Sequence, residues 1–139
     1  MKFNKLQTTV LSIAGFTALL IGIFIALDPI AFYSSYGIAL EGNADMLSEL
    51  RAPGMNLAVL GGVMLAGVSR SSLRPLAITA SIIVFGSFAA GRVLGLLVDR
   101  LPSEKVIGAL IVELVIAALC FAVFSKERHV FCTRQPRGA

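Results

Sequence analysis

Two ionisable residues of opposite charge lie inside long apolar segments, where ligand-binding or proton chemistry could take place. Arg92 lies eight residues before Arg100, and Glu113 lies nine residues after Glu104. At the helical rise of about 1.5 Å per residue, each is about 12 to 13.5 Å from the end of a helical hairpin. A charge in a bilayer interior is costly unless it is paired or faces a polar cavity. We therefore predict that Arg92 and Glu113 form a buried pair between neighbouring helices.

This pair has two interpretations. Ionisable groups inside a membrane are functional by default, so the pair can serve a ligand, a proton or a partner. It can instead only fix the register of the helices, with Gly91 and Gly95 letting a neighbour approach Arg92 closely. The sequence leaves both interpretations open.

Other polar side chains are predicted to reach the same region. Asn56 lies five residues after Arg51, about 7.5 Å deeper along a helix, and Glu49 stands at the mouth. An arginine suits an anionic group through its planar fork of donors, while Glu113 neutralises the empty site. The predicted ligand-binding residues, around a pocket that opens outward, are Arg92, Glu113, Glu49, Arg51, Asn56, Tyr33 and Tyr36.

Motifs for catalysis, metal binding or a cofactor are missing from the sequence. The single histidine, His129, lies in the C-terminal tail, and a Ser/His/Asp or Cys/His set cannot be assembled around it. Cys120 and Cys132 have no C-x-x-C spacing, so we expect free thiols. We therefore predict no catalytic residue, no metal and no cofactor. Quinone-linked redox or proton chemistry at Glu113 is the enzymatic alternative.

Composition predicts the elements that position these residues. Hydrophobic residues make up 57% of the chain and charged residues 14%, whereas soluble domains carry about 25% charged residues. Four runs reach the length of about 20 residues that a membrane span needs. We predict an all-α, integral membrane four-helix bundle in one domain, 1–139, with spans at about 8–27, 50–68, 73–98 and 104–125. The first span is expected to be retained rather than removed as a signal peptide, and to act mainly as scaffold.

The basic residues divide unequally between the two sides of such a bundle. One side would carry eight of them, and the other side four. The eight are Lys2, Lys5, Arg70, Arg74, Lys126, Arg128, Arg134 and Arg137. The positive-inside rule makes this side cytoplasmic, so both termini and the tail 126–139 are predicted to be cytoplasmic in the cell inner membrane. The basic charge then indicates a lipid bilayer as the partner, and no nucleic acid.

The predicted outer loop, 28–47, is rich in aromatic residues. Phe32, Tyr33 and Tyr36 lie close together, as in an interfacial belt that anchors a loop at the membrane surface. The alternative is a lid over a cavity. Asn43 or Asp45 could cap a helix that starts before Pro53, which would then lie near its first turns, where a proline is tolerated.

Four short segments carry a family resemblance. SELRA at 48–52, GRVLGL at 91–96, DRLP at 99–102 and VEL at 112–114 resemble a bacterial domain-of-unknown-function family of four-helix membrane proteins, distantly DoxX-like. The resemblance implies this fold and marks Glu49, Arg51, Arg92 and Glu113 as family features. Some DoxX-like relatives are associated with redox complexes that pass electrons to quinone, which implies an accessory role only by analogy.

Taken together, these features predict a membrane protein that binds a small or lipid-like ligand in an outward-opening polar pocket around Arg92 and Glu113. The alternative is a non-catalytic accessory subunit of a larger membrane complex, for example a redox complex. The expected protein partner is a subunit of that complex or, in a homo-oligomer, a second copy of the chain.

Overall fold

The computed structural model describes residues 4–99 and 102–132, with side chains described through Phe124. Within these ranges the chain forms five α-helices and a short 3-10 turn, Ser71–Leu73. The helices are α1 (Lys5–Leu27), α2 (Pro29–Ser35), α3 (Ala44–Ser69), α4 (Arg74–Val98) and α5 (Glu104–Cys132). The all-helical prediction is confirmed. Lys2, Arg100, Cys132 and the charged side chains of the tail 126–139 lie outside the described side chains.

Four helices in the described part of the chain, all but α2, are long and apolar enough to cross a membrane. This identifies a multi-pass membrane protein by length and composition. The helices differ in how much protein surrounds them. In the most apolar 18-residue stretch of α1, 44% of the residues are buried, whereas in the corresponding stretch of α5 only 17% are buried. Thus α1 is a central helix, and α5 is a peripheral one.

The segment 28–47 between the first two spans, predicted as a loop, is partly helical. Pro29 starts α2 directly after Asp28, whose carboxylate accepts a hydrogen bond from the Ala31 N–H at 2.9 Å. Asn43 caps α3 by accepting from the Met46 N–H at 2.8 Å. Because α3 starts at Ala44, Pro53 lies nine residues further on, inside the helix rather than in its first turns.

Small residues bring α1 and α3 into backbone contact. A Cβ added at Gly22 would overlap the backbone of Ala58, and one added at Gly61 would overlap the backbone of Leu19. A Cβ at Gly54 would lie 2.9 Å from the Ala26 nitrogen. Such close approach is the use that membrane helices make of small residues. It makes α1 and α3 the tightest pair in the bundle.

The hydrophobic core lies toward one end, which we call the closed end, where α1 starts and the Ser71–Leu73 turn lies. Its fully buried side chains include Leu11, Met64, Cys120 and Phe124. The opposite end, formed by α2 and the adjoining ends of the other helices, is the open end. There, no described residue of α4 beyond Ala89 is buried. Cys120 is a free thiol, as predicted.

Candidate ligand-binding site

Arg92 and Glu113 form an ion pair between α4 and α5 in the open half of the bundle. The Arg92 Nε donates to the Glu113 Oε2 at 2.6 Å. The side chain of Arg92 is 31% exposed and that of Glu113 is 15% exposed. The pair predicted from matching depth is therefore present. Its partial exposure means that it is not sealed within packed side chains.

The pair lines a cavity of about 400 Å³. Every α-helix contributes to the wall, and apolar side chains predominate in it. They include Ile21, Ile25, Leu57, Val84, Phe85 and Phe88. Among the described residues that line the cavity, only Arg92 and Glu113 are charged. The cavity is therefore an apolar chamber whose wall holds one ion pair without net charge. We call this ion pair the polar spot of the cavity.

Aromatic residues of α2 and of its C-cap lie against the chamber at the open end. Phe32, Tyr33 and Tyr36 all line the cavity. Phe32 packs edge-to-face on Tyr33 at 5.3 Å between ring centroids, and on Phe24 of α1 at 5.5 Å. Such edge-to-face pairs are favoured by the quadrupoles of the rings. This is the position that the lid interpretation of the aromatic segment requires.

Two features define the C-terminal end of α2. Gly37 has a φ of +79°, and the Ile38 N–H donates to the Tyr33 carbonyl at 3.0 Å, which ends α2 in a Schellman motif. From α5, the Lys105 Nζ donates to the Ser35 carbonyl at 2.8 Å. A cation at a helix C-terminus is favourable because it faces the negative end of the helix dipole. Sequence reasoning did not assign Lys105 to the site.

Three of the predicted site residues lie elsewhere. Glu49, Arg51 and Asn56 are exposed on α3, and none of them lines the cavity. Leu57 does line it, and a helical step of about 100° separates Asn56 from Leu57. The predicted single cluster therefore divides, with Arg92, Glu113, Tyr33 and Tyr36 at the cavity and the other three outside it.

Arg51 instead contacts the end of α1. Its Nη1 donates to the carbonyls of Ala26 at 2.6 Å and Leu27 at 2.9 Å. The last carbonyls of a helix lack partners within the helix, so a basic side chain there satisfies them. The geometry gives Arg51 a capping role between α3 and α1.

Two further expectations change. A Cβ added at Gly91 would meet no atom within 4 Å, and one at Gly95 would meet only the Asp99 side chain at 3.8 Å. These glycines therefore do not bring another described helix close to Arg92.

The first helix is more than scaffold, because Thr17, Ile21 and Ile25 line the cavity at the four-residue spacing of one helix face. This spacing is visible in the sequence, and it could have predicted that α1 contributes to the cavity wall.

A smaller crevice of about 150 Å³ lies between α4 and α5. It shares Arg92 and Val106 with the main cavity and also includes Asp99 and Pro102. Arg92 is thus accessible from two spaces, and a second carboxylate lines the smaller one. Among the described residues, no three His, Cys, Asp or Glu side chains lie close enough together to hold a metal ion.

Comparison with known proteins identifies a family. The chain matches the model of the domain of unknown function DUF4345 over residues 6–124, and it therefore belongs to that family. No curated protein and no solved structure matches the chain. The predicted membership of a family of unknown function is confirmed, whereas the distant similarity to DoxX-like proteins stays a prediction.

Proposed function

We propose that this DUF4345 member is a multi-pass protein of the cell inner membrane that binds a small or lipid-like ligand in the cavity beside Arg92 and Glu113. The observation that carries the proposal is a mostly apolar cavity with one charged pair in its wall. Binding pockets have this character, with volumes of about 300 to 1,000 Å³ and a few polar groups that orient the ligand.

A purely structural role for the pair is less well supported. A pair that only fixed helix register would be expected within packed side chains, as the core of the closed end is. Here both members face a cavity, and the Arg92 side chain is 31% exposed. An ionised pair in an apolar wall is costly to keep. A ligand that uses the pair provides a reason for that cost.

The proposed orientation places both termini in the cytoplasm, so that the cavity opens toward the outer side. Its support is the excess of basic residues on the side that the sequence predicts to be cytoplasmic, eight against four. Fusions of green fluorescent protein and of alkaline phosphatase to the C-terminus test this. Fluorescence without phosphatase activity is expected, and the reverse pattern would contradict the orientation.

Filling the cavity tests the proposed function. Gly108 lines the cavity, and a Cβ there meets no atom within 4 Å. Gly108→Leu should therefore occupy the ligand's space without displacing the protein. Gly91→Leu is the matched control, since Gly91 is equally open but lies outside the cavity. Native mass spectrometry of protein extracted from its own membrane should show a bound small molecule in the wild type and in Gly91→Leu, but not in Gly108→Leu.

Neutralising the pair provides a second arm of the test. The Arg92→Gln, Glu113→Gln double variant replaces the charges by amides of similar size and should fold, yet it should retain less of the bound molecule, because charge-assisted hydrogen bonds become neutral ones. Equal occupancy in all variants would refute the proposal.

The accessory-subunit alternative gains support if tagged pull-down after gentle extraction recovers a defined partner with this chain. It loses support if only this chain is recovered.

A further inference from the structure

The polar spot of the cavity has unused hydrogen-bonding groups of both kinds. The ion pair engages only the Nε of Arg92 and the Oε2 of Glu113. Within the described residues, the terminal nitrogens of Arg92 and the Oε1 of Glu113 have no other hydrogen-bond partner. A guanidinium carries five N–H donors, and a carboxylate only accepts. The spot therefore offers donors beside an acceptor.

The charge of the spot is already balanced. Arg92 and Glu113 are the only charged groups among the described lining residues, and they neutralise each other. An anionic head group would meet Glu113, and Asp99 in the crevice beside Arg92 adds a second carboxylate. A cationic head group would meet Arg92. Like charges brought together in an apolar site repel each other strongly, so a head group with a net charge is disfavoured.

The cavity runs along α4. Val84 and Arg92 both line it, eight residues apart on α4, which corresponds to about 12 Å along the helix. Its volume of about 400 Å³ is near the lower end of the range for ligand pockets. One alkyl chain suits this space better than the two chains of a bilayer lipid.

From these features we infer that the ligand is an uncharged, single-chain amphiphile whose head group carries a hydroxyl or an equivalent donor and acceptor. The head accepts from a terminal nitrogen of Arg92 and donates to the Oε1 of Glu113, while the chain extends past Phe88 and Phe85 toward Val84. This inference rests on the proposed function. The sequence favoured an anionic head group instead. An uncharged head group fits the structure better, because Glu113 already neutralises the charge of Arg92.

Three probes with the same chain length test the inference. Tritiated decanol, decanoate and decylamine are titrated onto the full-length protein in lipid nanodiscs by scintillation proximity. The buffer is alkaline enough to keep decanoate ionised and acidic enough to keep decylamine protonated, and Gly108→Leu nanodiscs provide the background from lipid partitioning. Wild-type protein should prefer decanol over each charged probe by at least about tenfold.

Charge variants should redirect this preference. Glu113→Gln leaves Arg92 unbalanced, so decanoate should become the preferred probe, whereas Arg92→Gln should favour decylamine. If either variant fails to fold, the ranking of the three probes by the wild type still decides the inference. Decanoate or decylamine binding the wild type as tightly as decanol would overturn the inference and leave the proposed function standing. Binding of no probe above the Gly108→Leu background, with no molecule in the native mass spectrum, would overturn both.

Discussion

The α1–α3 pair and the α4–α5 hairpin use glycine in opposite ways. Gly22 and Gly61 lie where an added Cβ would overlap the backbone of the facing helix. In the hairpin, a Cβ at Gly91 or Gly108 would meet no atom within 4 Å. Small residues therefore join two helices only where both faces are small and aligned. In the hairpin, the Arg92–Glu113 bond connects α4 and α5 in the wall of the cavity.

The largest effect is expected at the tight pair. Gly22→Ala should destabilise the protein by about 3 kcal/mol, because backbone atoms of α3 cannot move away as a flexible side chain can. Circular dichroism in mixed micelles of increasing sodium dodecyl sulfate measures this change. Gly62→Ala is the matched control, since its Cβ meets no atom within 4 Å. Equal losses in the two variants would contradict the proposed backbone contact.

The ion pair of the hairpin comes next. Glu113→Gln leaves Arg92 without its partner in an apolar wall and should cost about 2 kcal/mol, a value reduced by the partial exposure of Arg92. The double variant with Arg92→Gln should be more stable than this single variant, because no unpaired charge remains. Unfolding of the two single variants and the double variant gives the coupling energy. Additive losses would show that the two side chains do not interact.

Arg51 connects the tight pair through hydrogen bonds rather than through packing. Arg51→Ala removes two charge-assisted bonds to the end of α1, which should cost about 1 kcal/mol at this exposed position. Binding of decanol should be unchanged, because Arg51 lies outside the cavity. Arg70→Ala, at the closed end, serves as the control for loss of a surface charge. A loss of decanol binding in Arg51→Ala would restore Arg51 to the ligand site.

The smallest effect is expected where α5 reaches α2. Lys105→Met removes the bond to the Ser35 carbonyl and should cost about 0.5 kcal/mol, which corresponds to about twofold faster amide exchange. Hydrogen exchange with mass spectrometry should localise the change to α2, and Lys105→Arg should retain most of the protection. Equal acceleration in all helices would indicate general destabilisation instead.

Part of the site was predictable because depth in a membrane helix is a linear quantity. Each residue adds about 1.5 Å, so counting from the hairpin placed Arg92 and Glu113 at one level. The direction of a side chain around the helix axis depends on how the helix is rotated by its neighbours. For that reason Asn56, at a suitable depth, lies outside the cavity, while the neighbouring Leu57 lines it.

The sequence by itself determined four apolar helices long enough to cross a membrane, and it determined the Arg92–Glu113 pair, because length, hydropathy and depth are local or additive along the chain. Only the tertiary structure decided that α2 lines a cavity, that Lys105 donates a hydrogen bond to the end of α2, and that Arg51 caps α1. These contacts join residues 24 to 70 positions apart, and they depend on the rotation and divergence of whole helices. The close backbone approach of α1 and α3 at Gly22 and Gly61 is one part of that geometry.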